Sequence, residues 1–167
     1  MFLNKAQKQE LKKFFEQSSI KQCVEEDEWQ LIFNSWFARV QDEDDFSCLT
    51  QLLVDANIPF LDDMSVIMSY MFYGVESEVE DIVVPENIRI IEHYGFANCS
   101  AKIINIYDNG TLKPIEGNAF DGWDGKEIIF HGSRDRWSKL ISNYEVHIPS
   151  SISVYVVESD GTVHDIQ

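Results

Sequence analysis

Apolar residues in the first part of the chain recur at helical spacing. The clearest run is Trp29, Ile32, Phe33, Trp36, Phe37 and Val40, at i, i+3, i+4, i+7, i+8 and i+11, which puts all six on one helix face. Leu11, Phe14 and Phe15 predict a helix before it. Phe46, Leu49, Leu53 and Ala56 predict one after it, ended at Asn57 and Pro59, because asparagine tolerates the left-handed cap and proline cannot continue a helix. Met64, Ile67, Met68, Met71 and Phe72 fit a fourth, shorter helix, with Asp62 or Asp63 as N-cap and Gly74 just past its end. Together they predict an acidic helical subdomain over residues 1–75, whose aromatic stripe reads most simply as core.

From Val75 the period changes. Short β-branched runs appear, punctuated by Gly, Asn and Pro: Ile82-Val83-Val84, residues 103–107, Ile128-Ile129-Phe130 and residues 152–157. These are strand-like, and the acidic segment 76–81 marks the join to a second unit over residues 76–167. Shifted on itself by 24 residues, this half places Ile82 on Ile106, Ile88 on Leu112, Ile91-Glu92 on Ile115-Glu116 and Phe96 on Phe120. Two copies of one unit follow, each a strand, a turn, aliphatic steps, then a small residue and Phe. That order suits a solenoid, in which each inward side chain is covered by the neighbouring coil.

On these residues the chain resembles the BspA-like, or treponemal-type, leucine-rich repeats. Val84-Pro85, Ile88, Ile91, Phe96 and Cys99 stand at the family's strand end, aliphatic steps, aromatic and cysteine positions, and Ile115, Ala119 and Phe120 repeat them. Gly95 stands where alanine is usual and Trp123 where cysteine is usual. Residues 128–137 resemble the family's terminal segment, a strand, a Gly-Ser turn and a short helix carrying Trp137. Ser133 would cap that helix and Trp137 would cover the open end of the solenoid. The resemblance spans about residues 81–157. The segment 52–74 is similar to leaders attached to such repeats in phage-encoded proteins.

Composition narrows the function. The 167 residues are 44% hydrophobic, enough to bury a core. They carry 13 basic against 29 acidic residues, a net charge of −16, which opposes direct binding to nucleic acid or anionic lipid. No apolar stretch approaches the length of a membrane span and the first 21 residues lack a signal-like apolar core, so a cytoplasmic protein is expected, in the host cell if phage-encoded. Cys23, Cys48 and Cys99 are odd in number and widely spaced, which predicts reduced thiols.

Motifs for chemistry are missing. His93, His131, His147 and His164 share no metal-ligand spacing, no Walker loop or GxSxG elbow occurs, and Asp121-Gly122, Asp124-Gly125 and Asp160-Gly161 read as turns, not calcium loops. No cofactor and no enzyme activity are expected. The acidic runs Glu25-Glu26-Asp27-Glu28 and Asp42-Glu43-Asp44-Asp45 precede predicted helices, where one or two acids would satisfy the helix dipole. Four in a row exceed that need. Residues 1–80 hold 6 basic and 16 acidic residues, net −10, so the charge is concentrated there.

The expected fold is therefore α+β, a helical N-terminal subdomain capping a short leucine-rich-repeat or β-solenoid module closed by C-terminal strands. The resemblance implies protein recognition, since repeats supply surface and no reagents. The expected function is a non-catalytic binding module, in particular a phage-type inhibitor of a host nucleic-acid-handling enzyme of the anti-defence kind, anti-CRISPR proteins being an example. The eight carboxylates of Glu25–Glu28 and Asp42–Asp45 would stand in for phosphates before a basic nucleic-acid-binding partner. The alternatives are a repeat scaffold whose acidity means only solubility, and a hydrolase whose site assembles in three dimensions. Exposed strand edges also admit a homodimer.

Overall fold

The β-branched runs of the second half each form a strand, along which buried and more exposed positions alternate. In the computed structural model, which describes residues 50–51, 54, 60–75, 81–142 and 146–167, the elements are β1 (Val66–Ile67), β2 (Asp81–Val84), β3 (Ile90–Ile91), β4 (Ile103–Tyr107), β5 (Glu127–His131), α1 (Arg134–Leu140), β6 (Ser153–Val157) and β7 (Val163–Asp165). A 3-10 turn at Phe60–Asp63 precedes β1. The main sheet has the order β2-β4-β5-β6-β7, parallel through β6 and antiparallel at β7, while β1 and β3 pair in a second, short parallel ladder. One main strand per circuit makes a stack of about four coils, a β-solenoid.

Each coil contributes the same inward side chains. From the main strands these are Ile82 and Val84, Ile104 and Ile106, Ile128 and Phe130, then Val154 and Val156, all at most 8% exposed. From the opposite wall come two columns, Ile67-Ile91-Ile115 and Phe72-Phe96-Phe120. The phenyl rings stack at 5.2 and 5.7 Å between centroids. Backbone amides join the coils beside them: Phe72 N donates to Gly95 O and Phe96 N to Ala119 O, each at 2.9 Å.

The wall turns through the left-handed region twice per coil, at Tyr70, Tyr94 and Asn118 and again at Gly74, Asn98 and Gly122, all with φ between 51° and 63°. Asparagine and glycine suit that conformation; tyrosine does not, and stacking of Tyr70 on Tyr94 at 5.0 Å accompanies it. Gly95 in place of alanine has a local reason. A Cβ there would lie 3.1 Å from both the Glu92 carbonyl and Ile67 Cγ2. Trp123, in place of cysteine, lies 2% exposed with its Nε1–H donated to Ala101 O at 2.7 Å.

The last coil replaces the short wall strand with α1. Ser133 caps it, its hydroxyl accepting from Arg136 N at 3.2 Å, and Trp137 is 2% exposed with its ring 5.2 Å from that of Phe130. The terminal segment and the C-terminal strand pair are thus as expected.

Three expectations need correction or restriction. Residues 64–72 do not form a helix: Val66–Ile67 is a strand and the backbone from 69 to 74 is turn, so this segment is a coil of the solenoid. The repeat accordingly begins one unit earlier than two copies require. The uniform 24-residue shift holds for the wall but not for every strand: Asp81 lies opposite Ile103, Ile103 opposite Glu127 and Glu127 opposite Ser153, steps of 22, 24 and 26 residues. Ile82 therefore pairs with Ile104, not Ile106. The three earlier predicted helices fall on or run into residues outside those described.

Candidate functional site

A parallel sheet is normally buried on both faces and reads as continuous hydrophobic runs. Here burial alternates along each strand, because only the inward face packs on the solenoid core. The outward face carries three rows fixed by register: Asp81, Ile103, Glu127 and Ser153; then Val83, Asn105, Ile129, Tyr155 and Asp165; then Tyr107, His131, Val157 and Val163. All of these positions are half-buried or exposed. Four large hydrophobic residues are exposed among the described residues, and three of them, Val83, Tyr107 and Val163, lie on this face at 51%, 41% and 59%. The fourth, Tyr73, stands edge-on to Tyr70 on the wall turns.

The polar groups of the face are tied together. Asn105 Nδ2 donates to Asp81 Oδ2 at 3.4 Å, and Asn105 Oδ1 lies 3.4 Å from His131 Nε2. With the amide so oriented, the imidazole donates from Nε2 and keeps Nδ1 for another partner. The His131 ring stacks on Tyr107 at 3.9 Å, nearly parallel at 3°. Desolvation by its surroundings holds His131 below the usual histidine value of 6.5, so the face is largely uncharged at this point at neutral pH.

A second, structural cluster lies at the strand ends. Arg136 of α1 donates Nε to Asp108 Oδ2 at 2.6 Å and a further N–H to the Leu112 carbonyl. Asp108 Oδ1 accepts from Gly110 N and Leu112 N. Burial alone would raise the Asp108 carboxyl, but these hydrogen bonds and the guanidinium charge outweigh it and hold it below its ordinary value of 3.8. Both carboxylate oxygens are used internally, so this cluster fastens the cap helix to the third coil.

The residues singled out in the sequence fall as follows. Glu25, Glu26, Asp27, Glu28, Asp42, Glu43, Asp44 and Asp45 all lie outside the described residues. His93 is on the surface, its side chain 59% exposed and its Nδ1 3.0 Å from Glu116. His131 lies half-buried on the outward face of the main sheet, stacked on Tyr107. Gly122 and Gly161 have φ of 63° and 85°, as turns after Asp121 and Asp160 require. Cys99 is a buried free thiol, pushed up to about 12 by desolvation. Among the described residues no three His, Cys, Asp or Glu side chains are grouped to hold a metal ion, and no helix is long and apolar enough to cross a membrane. Asn105, Tyr107, Ile129 and Tyr155 went unmarked in the sequence. Their signal was present in the β-branched runs 103–107, 128–130 and 152–157, in which alternate positions had to face away from the core.

The fold and this open, ladder-built face define a repeat solenoid. Residues 56–153 match the BspA-type leucine-rich-repeat region, a family model of six copies, and the chain belongs to that family. No curated protein and no solved structure matches it.

Proposed function

We propose that the protein is a non-catalytic protein-binding module that holds its partner on the outward face of the main sheet. The observation that carries this is the concentration of exposed large hydrophobics there, Val83, Tyr107 and Val163, on a sheet whose other face is fully packed. Repeats of this family supply surface, and the side chains of the face are suited to contact and not to bond-making. Affinity capture from the source organism with a photo-crosslinking residue in place of Tyr107 tests it. A captured protein that is lost from a Val83→Ser/Tyr107→Ser variant supports the reading. Undiminished capture by that variant refutes it.

A more specific reading, inhibition of a nucleic-acid-handling enzyme by phosphate mimicry, is favoured by the net charge of −16 and by the two four-residue acidic runs. It places the contact on Glu25–Glu28 and Asp42–Asp45 and makes association fast and salt-sensitive. Replacing Asp42, Glu43, Asp44 and Asp45 by Asn or Gln separates the two. Loss of the partner with that variant, and retention with the sheet-face variant, assigns the contact to the acidic runs.

A further inference from the structure

The sheet face has a sign as well as an apolar character. Three of its thirteen outward positions are carboxylates, Asp81, Glu127 and Asp165, and none is lysine or arginine. Among the described residues none of the three is in an ion pair. Lys102 and Lys126, both exposed, stand one residue before β4 and β5 and so fall outside the three outward rows. Asp81 and Glu127 flank Ile103 in one row, about 10 Å apart across two strand spacings. Asn105 holds the Asp81 carboxylate toward the face.

We infer that the face recognises a segment of a different protein that combines apolar side chains with a lysine or arginine. The apolar side chains lie along Val83, Tyr107, Ile129 and Tyr155, and the cation is placed above Ile103 between Asp81 and Glu127. This inference rests on the sheet face being the binding surface. Charge complementarity selects the occupant. A second copy of the chain would bring three more carboxylates to the same face and a net charge of −16 against −16. Nucleic acid and anionic lipid would bring phosphates to a face without a cation. A neutral apolar segment would leave the two carboxylates covered and uncompensated, which is costly.

The test is selection of random 12-residue peptides displayed on phage against the full-length protein, with each enriched peptide then synthesised and its affinity measured. Peptides rich in apolar residues with at least one Lys or Arg are expected. Their binding should weaken about ten-fold for each of Asp81→Asn and Glu127→Gln, and also as salt rises. They should be lost from Val83→Ser/Tyr107→Ser. Enriched peptides that need Val83 and Tyr107 but carry no cation, or ignore Asp81→Asn and Glu127→Gln, overturn this inference and leave the sheet-face reading standing. Peptides indifferent to Val83→Ser/Tyr107→Ser overturn both. Failure to enrich any peptide overturns recognition of a linear segment, and self-association abolished by Val83→Ser/Tyr107→Ser assigns the face to a second copy instead.

Discussion

Replacing Arg136 by methionine keeps the aliphatic stem of the side chain and removes the guanidinium that ties α1 to the third coil. Asp108 Oδ2 then loses its donor at 2.6 Å and the Leu112 carbonyl loses another. The Asp108 side chain is only 1% exposed, so water does not readily take over. Removing one partner of a buried ion pair costs about 3–5 kcal/mol. The lower end applies, because Asp108 Oδ1 keeps its bonds from Gly110 N at 2.9 Å and Leu112 N at 3.1 Å, and Arg136 itself is 26% exposed. A loss of about 3 kcal/mol at neutral pH is therefore expected.

The pH dependence gives this prediction a second edge. Asp108 has a folded-state pKa below its ordinary value, so it binds fewer protons folded than unfolded across that window. Its stabilisation is complete above the unfolded value of 3.8 and is lost as pH falls through the lower folded value. Arg136→Met removes part of what lowers that pKa. The difference between variant and parent should then be largest at neutral pH and shrink once both carboxyls are protonated. Urea melts at neutral pH and at several values below 3.8, on the parent, Arg136→Met, Asp108→Asn and the double variant, measure it. A loss under about 0.5 kcal/mol, or one equally large in acid, would refute the claim that this joint acts through a charged pair.

Other outcomes follow from the packing and the backbone. Phe96→Ala removes the middle ring of the Phe72-Phe96-Phe120 stack and should cost about 3–5 kcal/mol in denaturant melts, Phe96→Leu distinctly less; equal, small losses would mean the column is not core. Gly122→Ala adds a Cβ at φ 63° and 2.1 Å from Asn98 Oδ1, whereas Gly161→Ala adds one at φ 85° with nothing within 4 Å. The first should be the more destabilising and be partly rescued by Asn98→Ala, and the reverse order of melting temperatures would contradict the geometry. His131 is held below 6.5, so its contribution to stability is present above that pH and lost as pH falls toward the folded value; His131→Gln should remove that part of the slope in melts across the interval.

The strands were legible because a short β-branched run bounded by turn residues is a local property. Ile103 to Tyr107 reads as a half-buried strand from its own five residues, and β2, β5 and β6 do likewise. Residues 64–72 misled for an equally definite reason. Ile67, Met71 and Phe72 point into the core from successive turns of one coil, bent through left-handed Tyr70 and Gly74, and that spacing imitates one face of a helix. The correct reading lay in the same 24-residue shift used farther along, since Ile67, Tyr70 and Phe72 fall on Ile91, Tyr94 and Phe96. Periodicity within the segment outweighed its likeness to the next one.

The outward sheet face was less legible because it is made by register between strands, and register depends on how many residues each circuit spends off the sheet. The step from β4 to β5 is 24 residues, so the Tyr107–His131 stack follows from the repeat alone. The steps from β2 to β4 and from β5 to β6 are 22 and 26, the last circuit including α1. With one uniform shift Asp81 would share a row with Asn105; the real register moves it into the row of Ile103 and Glu127. That displacement brings two carboxylates to flank an isoleucine and produces the acidic end of the face. The position of charge on this surface is thus encoded in the lengths of the segments between the strands, and changing the length of one coil would rearrange the face without altering any residue on it.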